Sequence, residues 1–99
     1  MREITAKELA NKLNTGKSVN IIDVREDEEV AQGKIPGAHH IPLGQLPDRL
    51  DEIDKNQHYY MVCRSGGRSG RASAFLHDQG YDVTNMAGGM LDWEDDVEK

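Results

Sequence analysis

The chain has 99 residues, of which 36% are apolar and 30% charged, with a formal net charge of −6. That length closes one modest core but not two, so one domain spanning residues 1–99 is expected, and any site must lie on it. The acidic balance speaks against nucleic acid or an anionic membrane as a main partner, because both need a basic footprint, and no apolar stretch approaches a membrane-crossing helix.

Met1-Arg2-Glu3 leads directly into a helix pattern without the apolar core of a signal peptide, which makes the cytoplasm the expected location. Thr5-Ala6-Lys7-Glu8 has capping-box spacing. Leu9 and Leu13 follow on one helical face, and Gly16 offers a stop. Val19-Asn20-Ile21-Ile22-Asp23-Val24 is a compact β-branched run of the kind that forms a buried central strand with a carboxylate near its C-terminal end. An acidic stretch runs on through Glu29. Gly33-Lys34-Ile35-Pro36-Gly37-Ala38 then predicts a loop, and His40-Ile41-Pro42 a brief extended segment. Leu46, Leu50 and Ile53 recur at helical spacing, which requires Pro47 to fall in the first turn of that helix.

Tyr59-Tyr60-Met61-Val62 predicts a second buried strand, ending at Cys63. Ala72, Phe75 and Leu76 then mark a helix with Gly80 as its C-terminal stop. Val83-Thr84-Asn85-Met86 predicts another strand, and a last short helix carries Leu91 and Trp93. Strands alternating with helices define the α/β class, with a mainly parallel sheet covered on both faces. In such sheets ligands gather outside the C-terminal strand ends, where Cys63 is placed.

Cys63 is the single cysteine, so it forms no internal disulfide and no Cys-rich zinc site. It opens Cys63-Arg64-Ser65-Gly66-Gly67-Arg68-Ser69, a segment between a strand and a helix. Adjacent glycines let the backbone curl with its N–H groups inward as an anion-binding nest, and the following helix N-terminus adds partial positive charge. Arg64 and Arg68 add full charges, and Ser69 is placed to be the helix N-cap. Such surroundings favour the thiolate and hence a nucleophile, and they would equally stabilise the ionised outer sulfur of a persulfide. A lone cysteine is most often small buried filler, but two glycines and two arginines within five residues of it point to chemistry. His39 and His40 point to opposite faces of extended backbone with no third ligand at metal-site spacing, so no metal is expected. Asp23 with Arg25 reads as scaffolding, Trp93 as a core anchor, and Asp95, Asp96 and Glu98 as a solvated acidic face.

The loop from Cys63 to Ser69 resembles the active-site loop of rhodanese-like sulfurtransferases. Asp23-Val24-Arg25-Glu26 is similar to that family's early Asp-x-Arg strand end. Gly33-Lys34-Ile35-Pro36-Gly37-Ala38 is similar to its Gly-His-Ile-Pro-Gly-Ala loop, and Gly88-Gly89-Met90-Leu91-Asp92-Trp93 to its closing Gly-Gly-x-x-x-Trp. Together these segments span nearly the whole chain, with Lys34 where the family usually has His and Val30 where an aromatic is common. The resemblance implies a five-stranded, mainly parallel sheet with flanking helices and a double displacement without metal or organic cofactor. Cys63 would be the catalytic residue, the backbone from Arg64 through Ser65, Gly66 and Gly67 to Arg68 the sulfur cradle, and Arg64 and Arg68 donor-binding groups. The implied partners are a small anionic sulfur donor such as thiosulfate or polysulfide and a cyanide or thiol acceptor, a protein thiol among them. Cys-based phosphatases and arsenate reductases of related fold place Arg after five intervening residues, whereas Arg68 follows after four. A redox sensor and a non-catalytic interaction module are the remaining alternatives.

Overall fold

The computed structural model describes residues 2–99. Met1 lies outside them, and the segment after it is a strand, not the start of the helix. In order, the elements are β1 (Glu3–Thr5), α1 (Ala6–Asn14), β2 (Asn20–Asp23), α2 (Asp27–Ala31), β3 (His39–His40), β4 (His58–Val62), α3 (Gly67–Asp78) and β5 (Asp82–Ala87). Three 3₁₀ turns, Leu43–Asp48, Leu50–Glu52 and Gly89–Asp92, complete them.

The five strands form one sheet in the order β1-β5-β4-β2-β3, every pair parallel. Leaving β2, the chain places β3 on one side and β4 on the other. The C-terminal ends of β2 and β4 therefore flank the point where strand order reverses, the crevice in which open α/β sheets bind ligands. Asp23 pairs with Val62 across these strands, so the turn after Asp23 and the turn at Cys63 are neighbours.

Alternation along the strands feeds two cores, one on each face. Ile22, Met61 and Cys63 pack with Ala72 and Leu76 of α3, while Ile21 and Val62 pack with Leu9 of α1. Helix α1 starts as its sequence predicts: the Thr5 hydroxyl accepts from Glu8 N–H, and Thr5 N–H donates to the Glu8 carboxylate, both at 3.0 Å. Helix α3 stops at a left-handed Gly80, where Gly80 N–H donates to the His77 carbonyl and Tyr81 N–H to the Leu76 carbonyl.

Three expectations are corrected. The 46–53 region forms 3₁₀ turns in place of an α-helix, with Pro47 inside the first; proline has no N–H to donate, and a short i→i+3 turn tolerates that better than an α-helix. The acidic stretch contains a helix, α2, that its sequence did not announce. Glu98 is not merely solvated: its backbone pairs with Lys34 in an antiparallel bridge, and its carboxylate accepts from Lys34 Nζ at 2.5 Å and Gly37 N–H at 3.0 Å. Lys34 Nζ also donates to the Ala38 carbonyl, so it closes its own loop.

Candidate functional site

Cys63 is the residue after β4, and its side chain is fully buried. Two groups donate to Sγ, Gly66 N–H at 3.0 Å and the Ser69 hydroxyl at 3.3 Å. Burial pushes the thiol pKa up. The Ser69 hydroxyl and the backbone N–H groups of Ser69, Gly66 and Ser65 outweigh that penalty, so the net shift is downward and the thiolate is favoured.

The loop owes this geometry to glycine. Gly66 has φ +99°, and a Cβ there would lie 3.1 Å from the Gly88 backbone N. That left-handed residue is the N-cap of α3, so the helix begins at Gly67 and not at Ser69. The expectation that Ser69 caps the helix is therefore corrected. Ser69 stands one turn further in, fully buried, with its hydroxyl free to aim at the sulfur. The Gly66 carbonyl closes the first turn by accepting from Gly70 N–H at 3.0 Å, and Asn85 Nδ2 reaches it at 3.2 Å.

A second glycine pair clamps the start of the loop. Met90 N–H donates to the Cys63 carbonyl at 2.9 Å and Leu91 N–H to the Arg64 carbonyl at 3.0 Å. Gly89 makes this approach possible. It has φ +60°, and a Cβ there would lie 2.5 Å from the Arg64 carbonyl carbon and oxygen.

Asp23 and Arg25 form a buried ion pair at the neighbouring strand end. Arg25 Nε and Nη2 donate to the carboxylate at 2.8 to 3.0 Å, and Nη2 also donates to the Gly33 carbonyl at 2.8 Å. This pair braces the loop that follows α2, as scaffolding should. Arg64 is exposed. Arg68 instead turns to Glu29 of α2, Nη1 to Oε1 and Nη2 to Oε2, each 2.7 Å. Arg68 holds the Glu29 pKa down to about 2. Glu29 is the site residue that the sequence does not mark, whereas Ser69 belongs to the loop that the sequence singles out and takes the role of hydrogen donor in place of helix cap. No local spacing marks Glu29, because the guanidinium that its carboxylate holds belongs to Arg68, 39 residues further along the chain.

His39 and His40 do separate to different partners, Glu52 and the Arg25 carbonyl, each at 2.6 Å. Among the described residues no group of three or more His, Cys, Asp or Glu side chains could hold a metal ion, and no helix is long and apolar enough to cross a membrane.

A parallel α/β sheet that delivers a hydrogen-bonded, buried thiol at its switch point, into a glycine-built turn running directly into a helix, defines a class of cysteine-loop α/β proteins. Comparison with known proteins gives the family. The sequence profile of the rhodanese-like domain matches residues 5–96. A Bacillus subtilis protein provisionally named a sulfurtransferase, YtwF, is 43% identical over 94 residues, covering 95% of this chain and 91% of that protein. A protein of Allochromatium vinosum named sulfurtransferase is 39% identical over 94 residues, covering 94% and 88%. The crystal structure of a rhodanese-like domain protein from Staphylococcus aureus superposes with a TM-score of 0.94 at 46% identity, over 99% of this chain and 97% of that one. The chain belongs to the rhodanese-like domain family.

Proposed function

We propose that this protein is a sulfurtransferase that carries a sulfane sulfur on Cys63 as a persulfide. The observation that carries the reading is the convergence of Ser69 and the loop N–H groups on Sγ, which favours the anionic form of a buried sulfur. In the first displacement the Cys63 thiolate attacks the outer sulfur of a donor such as thiosulfate or a polysulfide. With thiosulfate a new S–S bond forms, the old one breaks, and its electron pair leaves with sulfite. In the second, cyanide or a thiolate acceptor, including one on a protein, attacks the outer sulfur of the persulfide and returns the Cys63 thiolate. Neither displacement calls for a metal or an organic cofactor.

The backbone from Arg64 through Ser65, Gly66 and Gly67 to Arg68 is the cradle in which the transferred sulfur sits, and Arg64 meets the donor at its rim. A phosphatase or arsenate reductase reading is less well supported. Such an enzyme needs a guanidinium facing its cysteine to hold a tetrahedral oxyanion, whereas Arg68 is occupied by Glu29 and the next position is Ser69.

Intact mass after incubation with thiosulfate or polysulfide tests this directly. Wild type should gain the mass of one sulfur atom and lose it on cyanide addition with release of thiocyanate, while Cys63→Ser gains nothing. Reduced wild type that takes up no sulfur from either donor would refute the proposal.

A further inference from the structure

The loop carries two arginines, and the structure uses them differently. Arg64 makes no ion pair among the described residues. Arg68 is gripped on both arms of its fork by Glu29, at 2.7 Å each. A guanidinium in a two-point pair has spent on one carboxylate the planar donor face that it would otherwise offer to an anionic substrate. Glu29 is itself braced. Its Oε1 also accepts from Glu26 N–H at 2.9 Å, and its carbonyl accepts from Nη1 of Arg25, which is locked onto buried Asp23.

The consequence is a charge balance that the loop sequence hides. Ionised Glu29 and the Cys63 thiolate offset Arg64 and Arg68, and Glu26 adds a negative charge close enough to act on Arg68. With Glu26 counted these groups leave one net negative charge, so an incoming dianion meets net repulsion. A singly charged donor loses correspondingly less.

We propose that Glu29 is a positioning residue that sets donor specificity: by holding Arg68 off the donor, it selects an organic persulfide, R–S–S⁻, over dianions such as thiosulfate. This rests on the sulfurtransferase reading of Cys63. In the favoured transfer the Cys63 thiolate attacks the outer sulfur of R–S–S⁻ and a new S–S bond forms. The R–S bond to that sulfur breaks, and the electron pair leaves with RS⁻, so no oxidant or reductant is needed.

The test follows loading of Cys63 by intact mass, without acceptor, using thiosulfate and the persulfide of 2-mercaptoethanol as probes. Wild type should load faster from the persulfide. Glu29→Gln frees Arg68, and one added positive charge beside the sulfur should raise the thiosulfate-to-persulfide ratio of second-order loading rates about tenfold, since it acts on one more donor charge. Glu29→Asp keeps the charge and should keep the wild-type ratio, which a merely structural role would not require. In the unaltered chain, thiosulfate loading should not fall as salt is raised, because salt screens a repulsion. An unchanged ratio in folded Glu29→Gln would overturn the assignment, and so would a steep fall with salt in wild type, a result that needs no variant. If neither donor loads wild type, the sulfurtransferase reading fails first and this one with it; loading with an unaltered ratio sinks this proposal alone.

Discussion

Replacing Ser69 by alanine removes the strongest group holding the Cys63 pKa down, and it does so with little disturbance to packing. Only an oxygen is lost, and the Ser69 backbone continues to donate its N–H and to accept from Ser73 at 2.8 Å. A hydrogen bond to a charged group contributes about 1.5–3 kcal/mol. At 3.3 Å to a diffuse sulfur the lower end applies. One pKa unit corresponds to about 1.4 kcal/mol, so the thiol pKa should rise by about one unit. The burial penalty on the thiolate stays while its largest offset goes. Ultraviolet absorbance of the thiolate, titrated against pH in wild type and Ser69→Ala, reads the shift directly, with Cys63→Ser as the blank. Well below the wild-type midpoint the variant should load sulfur about tenfold more slowly, because its thiolate fraction is lower by that factor, and between the two midpoints the deficit narrows to about twofold. A midpoint that stays in place or moves down would show that the Ser69 hydroxyl does not stabilise the thiolate, and the account of the cradle would be wrong.

Other perturbations test the frame around the sulfur. Glu29 and Glu52 both have pKa values lowered to about 2 in the fold, by Arg68 and by Arg49 with His39. Because the folded values lie below the ordinary 4.5, their contribution to stability is full above that pH and drains away as pH falls towards 2. Urea unfolding across that window should show the loss, and Glu29→Gln with Glu52→Gln should flatten it. Asp23→Ala leaves the Arg25 cation buried without its partner and should cost about 3–5 kcal/mol in urea unfolding, a large share of a small domain's stability. Gly89→Ala puts a Cβ 2.5 Å from the Arg64 carbonyl at φ +60°, a clash with backbone that no rotamer relieves. It should lower stability by about 2 kcal/mol or more on thermal unfolding and raise the Cys63 pKa as the loop start is displaced.

The parts of the fold legible in the sequence are those whose cause is local. The Thr5-x-x-Glu8 box, the apolar runs that became β2 and β4, and the glycine stop of α3 each carry their own physics within a few residues. Strand β1 does not. Glu3-Ile4-Thr5 is three residues long and becomes a strand because β5 offers an open edge in parallel register. Helix α2 is five residues with no buried side chain, too short for an apolar period to register. Ser69 is not the cap because the left-handed Gly66 caps α3 three residues earlier, a choice set by the close approach of the Gly88 backbone.

The site at this strand end draws on segments far away in the chain. The Cys63 loop has N–H groups to aim, but no means of its own to hold them aimed. Its entry is pinned through the Cys63 and Arg64 carbonyls by residues 90 and 91, its middle through the Gly66 carbonyl by Asn85, and its far side through Arg68 by Glu29. Each clamp acts on a carbonyl or a guanidinium and leaves the inward N–H groups of Ser65, Gly66 and Ser69 unspent for the sulfur. A loop held from outside in this way keeps its donors aimed at Cys63 Sγ in advance, which is the condition for stabilising negative charge on that sulfur. The closing Gly88-Gly89 pair and the acidic helix are therefore as much a part of the cradle as the cysteine segment itself.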